Sequence, residues 1–129
     1  MTKLVKKEAP ESVSEFANAR RMASIAEGYR AKNLLAYDVR ELTVLADCFV
    51  MCTVTSEPQI KAVFRGVRDG MKEIGVAPLH AEGEISSDWL VLDYGTVMFH
   101  IFRERAFEFY DLAGLWADAP EIDLGLDEA

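Results

Sequence analysis

Hydrophobic and polar positions alternate most legibly between residues 89 and 102, where Trp89-Leu90-Val91-Leu92-Asp93 and Val97-Met98-Phe99-His100-Ile101-Phe102 flank Tyr94-Gly95-Thr96. Two apolar runs of strand length around a glycine predict an antiparallel hairpin, because glycine takes the positive φ that tight hairpin turns demand. Side chains alternate along a strand, so Trp89, Val91 and Asp93 should share one face, with Leu90, Leu92 and Tyr94 on the other. The turn is expected to carry Asp93 and Tyr94 at its tip.

Helical spacing governs two other stretches. Ser12-Val13-Ser14-Glu15 has the form of a capping box, and Phe16, Ala19, Ala23 and Ala26 follow at helical spacing, flanked by Met22, Ile25 and Tyr29, with Gly28 near the end. Ser56-Glu57-Pro58-Gln59 opens a second helix, with a cap residue, a glutamine three positions on, and proline in the first turn where its missing N–H costs little. Ile60, Val63, Phe64, Val67, Met71 and Ile74 form its apolar stripe, and Gly75 can close it. Arg65, Arg68 and Lys72 lie on the opposite side, which reads as a solvated face. Residues 33–39, 49–53 and 78–82 read as strands, and 105–117 as a last helix. The order α-β-β-α-β-β-β-α describes an α/β protein whose sheet mixes parallel and antiparallel neighbours.

The 129 residues, half of them apolar, amount to one domain with a single core. Charge divides the chain unevenly. Residues 1–9 hold three lysines and one glutamate, residues 118–129 hold five acids and no base, and the formal net charge is −8. The expected organisation is a flexible segment over 1–10, a domain over 11–117 and an acidic tail over 118–129. An acidic body disfavours a sequence-specific reader of nucleic acid, whose affinity rests largely on Lys and Arg, and suits a cationic protein partner.

Cys48 and Cys52 are the only cysteines. On a strand they share a face about 13 Å apart, too far for a disulfide or a shared metal, so two small buried hydrophobes in a reducing cytosol are expected. No apolar run approaches the roughly 20 residues of a membrane span, and no signal-peptide core follows the basic N-terminus. A cytoplasmic protein is expected.

A search for chemistry returns little. Nucleotidyl transfer uses paired carboxylates on one strand face, yet no Asp-x-Asp occurs, and Asp88 and Asp93 are an odd number of residues apart. Neither His80 nor His100 has a cysteine or second histidine at ligand spacing, and no glycine-rich phosphate loop is present. No catalytic residue, metal or cofactor is assigned. By residue type alone, His100 is a half-buried histidine near the sheet surface. Trp89 and Tyr94 are either core aromatics or the kind of large amphipathic ring that anchors protein interfaces.

Several segments in order then resemble one family. Ala46-Asp47-Cys48-Phe49-Val50, Thr55-Ser56 with Gln59, Glu82-Gly83, Trp89 through Phe102, and Tyr110 with Leu115-Trp116 are similar to the ribosomal silencing factors, the Iojap-like proteins. The resemblance implies a five-stranded mixed sheet flanked by helices, related to the nucleotidyltransferase superfold. It implies a non-enzymatic protein that binds the large ribosomal subunit through its fourteenth ribosomal protein and blocks subunit joining. Trp89, Leu90, Asp93, Tyr94, Gly95 and His100 are the partner-binding residues it suggests. The rival functions are a large-subunit assembly factor and, from fold analogy alone, a nucleotidyltransferase-like enzyme. Self-association is left open by the sequence: exposed aromatics beside a strand edge could form a homodimer. Val54, Pro58, Ser87, Thr96 and Ala113 depart from residues common in the family.

Overall fold

The structure, a computed structural model, describes residues 16–84, 88–106 and 118–126. The expected cap at Ser12, the segment 1–10 and most of the expected last helix lie outside these residues. Residues 104–106 are helical.

Helix α1 occupies residues 16–28. It buries Ala19, Met22, Ala23 and Ala26 completely, a stripe at helical spacing whose small side chains let the sheet approach closely. Gly28 is its last helical residue, as expected. Arg30, rather than Gly28, takes the left-handed conformation at φ 69°. The N–H of Arg30 bonds the Glu27 carbonyl at 2.8 Å and that of Ala31 bonds the Ala26 carbonyl at 3.1 Å, the paired closure of a Schellman motif.

Strand β1 (Lys32–Asp38) pairs antiparallel with β2 (Cys48–Val54). Helix α2 (Glu57–Lys72) follows, capped by Ser56, whose side chain accepts from the Gln59 N–H. Gln59 does not reach back to Ser56. Its amide oxygen accepts from the Thr55 N–H at 2.8 Å, and its NH₂ donates to the carbonyls of Tyr29 and Arg30 at 3.0 Å each, tying the start of α2 to the end of α1. Ile60, Val63, Val67 and Met71 face the core, and Gly75 at φ 82° closes the helix as expected.

Three strands complete the sheet: β3 (His80–Glu84), β4 (Trp89–Asp93) and β5 (Val97–Arg103). The spatial order is β1-β2-β5-β4-β3. β2 and β5 run parallel at the centre, from Cys48↔Val97 to Val54↔Arg103, and the other neighbours are antiparallel. A parallel central pair requires a long crossover, and α2 with the β3–β4 hairpin supplies it. The sheet is thus mixed, as the element order implied.

Two apolar layers result. Ala36, Cys48, Val50, Cys52, Leu90, Leu92, Phe99 and Ile101 pack with α1 and α2 on one side. Tyr37, Phe49, Met51 and Phe102 cluster with Val39, Ala46, Ala106 and Ala119 on the other. Cys48 and Cys52 are buried free thiols on the first face, and burial pushes the Cys52 thiol far up.

The segment beginning at Asp118 does not stand off as a tail over its described length. Pro120 accepts from the Asp38 N–H at 2.8 Å, Glu121 bridges Tyr37, and the Ile122 N–H donates to Ala36 at 2.8 Å. Ile122 and Leu124 are buried while Asp123 and Gly125 are exposed. The charges obscure a strand-like alternation that covers the otherwise open edge of β1.

Candidate functional site: the β4–β5 hairpin

The Tyr94 N–H donates to the Val97 carbonyl at 2.8 Å, which leaves Gly95 and Thr96 as the two turn residues, beyond the Asp93-Tyr94 tip expected from sequence. Gly95 comes first at φ 88°, the placement a type II′ hairpin requires. Asp93 is therefore the last strand residue rather than the tip. One of its carboxylate oxygens accepts from the Gly95 N–H at 2.8 Å and the other lies 3.1 Å from His80 Nε2, its neighbour on β3. The turn is fastened from both sides.

The expected site residues separate onto two faces. Trp89, Asp93 and His100 lie on one face of the hairpin, as alternation predicts. Leu90 is 5% exposed in the helix-side core, and Tyr94 packs against that same core. The Tyr94 hydroxyl is buried and has no hydrogen-bond partner among the described residues, and burial pushes its pKa up to about 12. It is placed as a packing residue, with its polar end turned inward.

Trp89 stays 36% exposed, and its indole N–H donates to His100 Nδ1 at 3.2 Å. His100 is 7% exposed, and desolvation lowers its pKa to about 4. Aromatic rings enclose the pair. Phe49 meets the imidazole edge-on at 5.0 Å, Phe102 lies nearly parallel to it at 6.0 Å, and Trp89 packs on Phe102 at 5.1 Å. Such tilted and offset contacts suit ring quadrupoles and hold the indole in one orientation.

Three contributors were not singled out from sequence. Phe102 is the register partner of Trp89, a pairing the hairpin pattern could have yielded once the turn was centred on Gly95 and Thr96. Gly83, noted only as part of a motif, sits at φ 96° in β3, where an added Cβ would lie 2.4 Å from the Trp89 carbonyl oxygen. Its bare backbone lets β3 reach the start of β4. Asp88, dismissed as half of a carboxylate pair, takes φ 67° and receives Arg105 at 2.9 Å and Arg103 at 3.5 Å, which fixes the entry into Trp89. No sequence signal marks that cluster, since its members meet only through the register.

Among the described residues, no group of three or more His, Cys, Asp or Glu side chains gathers at metal-binding range. No helix among them is long and apolar enough to cross a membrane. The arrangement is an aromatic cluster on one face of the hairpin, flanked by the Asp93–His80 and Asp88–Arg105 pairs.

The chain is similar to proteins already named or solved. The family described as "Ribosomal silencing factor during starvation" matches residues 10–129. A ribosomal silencing factor of Bacillus subtilis is 32% identical over 108 residues, covering 82% of this chain and 92% of its own. That of Haemophilus influenzae is 32% identical over 91 residues, covering 70% and 89%. A chloroplastic Iojap protein of Arabidopsis thaliana is 28% identical over 123 residues, covering 94% of this chain and 50% of its own. A solved protein of Chromobacterium violaceum superposes with a TM-score of 0.74 at 26% identity, covering 88% of this chain and 93% of its own. The Bacillus and Haemophilus relatives are named as silencing factors. With a family match over nearly the whole length, the chain belongs to the ribosomal silencing factor family.

Proposed function

We propose that this chain binds the large ribosomal subunit through its fourteenth ribosomal protein, at the surface where the small subunit docks, and so prevents subunit joining. Translation then falls when nutrients are scarce, the condition named in the family's description. The observation that carries the reading is Trp89, exposed by about a third on a fastened hairpin with its N–H already engaged by His100. A tryptophan of that kind offers apolar area at little cost in conformational entropy or desolvation, the property of interface hot spots.

No bond need be made or broken. A folded body seated where an intersubunit contact must form excludes the partner by volume, and the inhibition equals the occupancy of that site. The net charge of −8 favours encounter with a basic ribosomal protein.

Sucrose-gradient sedimentation of purified subunits with and without the protein tests the proposal. Comigration with the large subunit and a reduced joined-ribosome peak are expected, with both effects lost in Trp89→Ala. Binding confined to immature large-subunit particles, with joining unaffected, would instead identify an assembly factor. Absence from every large-subunit fraction at micromolar concentration would sink both readings.

A further inference from the structure

The solvent face of α2 carries a charge pattern that the partner-binding hairpin does not use. Lys61, Arg65, Arg68 and Lys72 are all exposed. At 100° per residue they fall within an arc of about 60° and run about 16 Å along the helix. Ile60, Val63, Val67 and Met71 face the core, while Gly70 faces Ile25 of α1 and Gly66 faces Tyr29 just after it. Lys61, Arg65 and Lys72 have no ion-pair partner among the described residues, and Arg68 pairs only with its neighbour Asp69 at 3.1 Å while lying 5.8 Å from the Phe64 ring.

Helix energetics do not ask for this stripe. The macrodipole favours a cation in the last turn, which accounts for Lys72, but it fades beyond the terminal turns and gives Arg65 no support. Like charges spaced three and four apart, as in Lys61/Arg65, Arg65/Arg68 and Arg68/Lys72, repel one another. In a chain with 22 acids and 14 bases, four of the bases are concentrated on one strip of one helix. The stripe lies on the helix side of the sheet, opposite the face that carries Trp89, and Arg68 is close enough for its charge to act on the Tyr94 hydroxyl beside the turn.

We propose that Lys61, Arg65, Arg68 and Lys72 form a second contact surface that grips the phosphate backbone of RNA on the same large subunit. This rests on the ribosome-binding reading above. A narrow line of unpaired cations fits the closely spaced charges of a nucleic-acid backbone, reads no base, and adds affinity through counterion release. The acidic remainder of the protein repels RNA elsewhere, so contact is confined to the strip. Two linked contacts on one subunit also raise overall affinity beyond either alone.

The test uses the full chain and a Lys61→Gln/Arg65→Gln/Lys72→Gln variant, in which glutamine keeps helix propensity and Arg68 keeps its place over Phe64. Binding to purified large subunits and, separately, to the isolated fourteenth ribosomal protein is measured from 50 to 200 mM monovalent salt at fixed Mg²⁺. The expected result is a loss of at least tenfold in subunit affinity at the lowest salt and a log–log salt slope shallower by about 2–3, with affinity for the isolated protein unchanged within twofold. Photocrosslinking from Arg65→p-benzoylphenylalanine should label RNA. Equal subunit affinity and slope for variant and wild type, or crosslinks to ribosomal protein alone, would overturn the RNA contact and leave the proposed function standing. Failure of the wild type to bind subunits would remove both.

Discussion

The Trp89 indole N–H donates to His100 Nδ1 at 3.2 Å although the two residues are diagonal rather than opposite, Trp89 pairing with Phe102 and His100 with Val91. Diagonal neighbours across a ladder lie within reach of large aromatic side chains. Because Nδ1 accepts, the imidazole is neutral with its proton on Nε2. That nitrogen is buried without a partner among the described residues.

Acid should therefore loosen the hairpin. Burial lowers the His100 pKa from 6.5 to about 4, so between those values the unfolded chain binds a proton that the folded one refuses. Stability is complete above pH 6.5, declines as pH falls through that window and levels off below about 4. A loss on the order of 2–3 kcal/mol is expected between pH 7 and 4.5. Urea denaturation across this range should show it, and His100→Gln should flatten the His100 portion of the decline. An equally steep decline in the variant would assign it to other groups.

Tyr94→Phe separates packing from contact at the same hairpin. The hydroxyl is buried and unpartnered, so its removal should leave stability unchanged or raise it by up to about 1 kcal/mol. Affinity for large subunits should stay within twofold, whereas Trp89→Ala should lose on the order of 2–4 kcal/mol. A tenfold loss of binding in Tyr94→Phe would mean that the hydroxyl turns outward to the partner.

Gly83→Ala should be costly for a steric reason. The new Cβ would approach the Trp89 carbonyl oxygen to 2.4 Å and the Leu90 Cα to 3.3 Å, both backbone atoms, at φ 96°. Destabilisation of about 2 kcal/mol or more is expected, from positive-φ strain together with displacement of β3 from β4. Denaturant titration reports the first effect, and a shift in tryptophan emission in the native state reports the second.

Arg30→Gly should move stability the other way. Arg30 holds the left-handed conformation at φ 69° that closes α1, a role Gly75 fills for α2 at φ 82°. Relief of that strain is worth about 1 kcal/mol. Thermal and urea unfolding should both register the gain. A loss would mean that the arginine side chain contributes more than its backbone costs.

Local rules were enough for much of the site. Ser56 and Gly75 mark the ends of α2 through capping chemistry carried by the residues themselves, and alternation alone placed Trp89 and Asp93 opposite Leu90 and Leu92. Gly95 announced a turn because few other residues tolerate its φ. These features depend on neighbours within a few positions, which any reading of the chain can see.

What pairs across the sheet did not follow from periodicity. The parallel seating of β2 beside β5, the turn at Gly95 and Thr96, the bond from Trp89 to His100 and the inward Tyr94 hydroxyl all depend on register between distant segments. Residues 118–126 show the limit most plainly. Their acids read as a solvated tail, yet Ile122 and Leu124 bury against the core because β1 offers an open edge with unpaired backbone groups. The chain by itself determined its two long described helices, the β4–β5 hairpin and its faces, and its family, since those reside in local chemistry and residue order. Tertiary structure alone decided which faces meet and which edge is covered, because burial and backbone pairing are settled only when remote segments compete for the same surface.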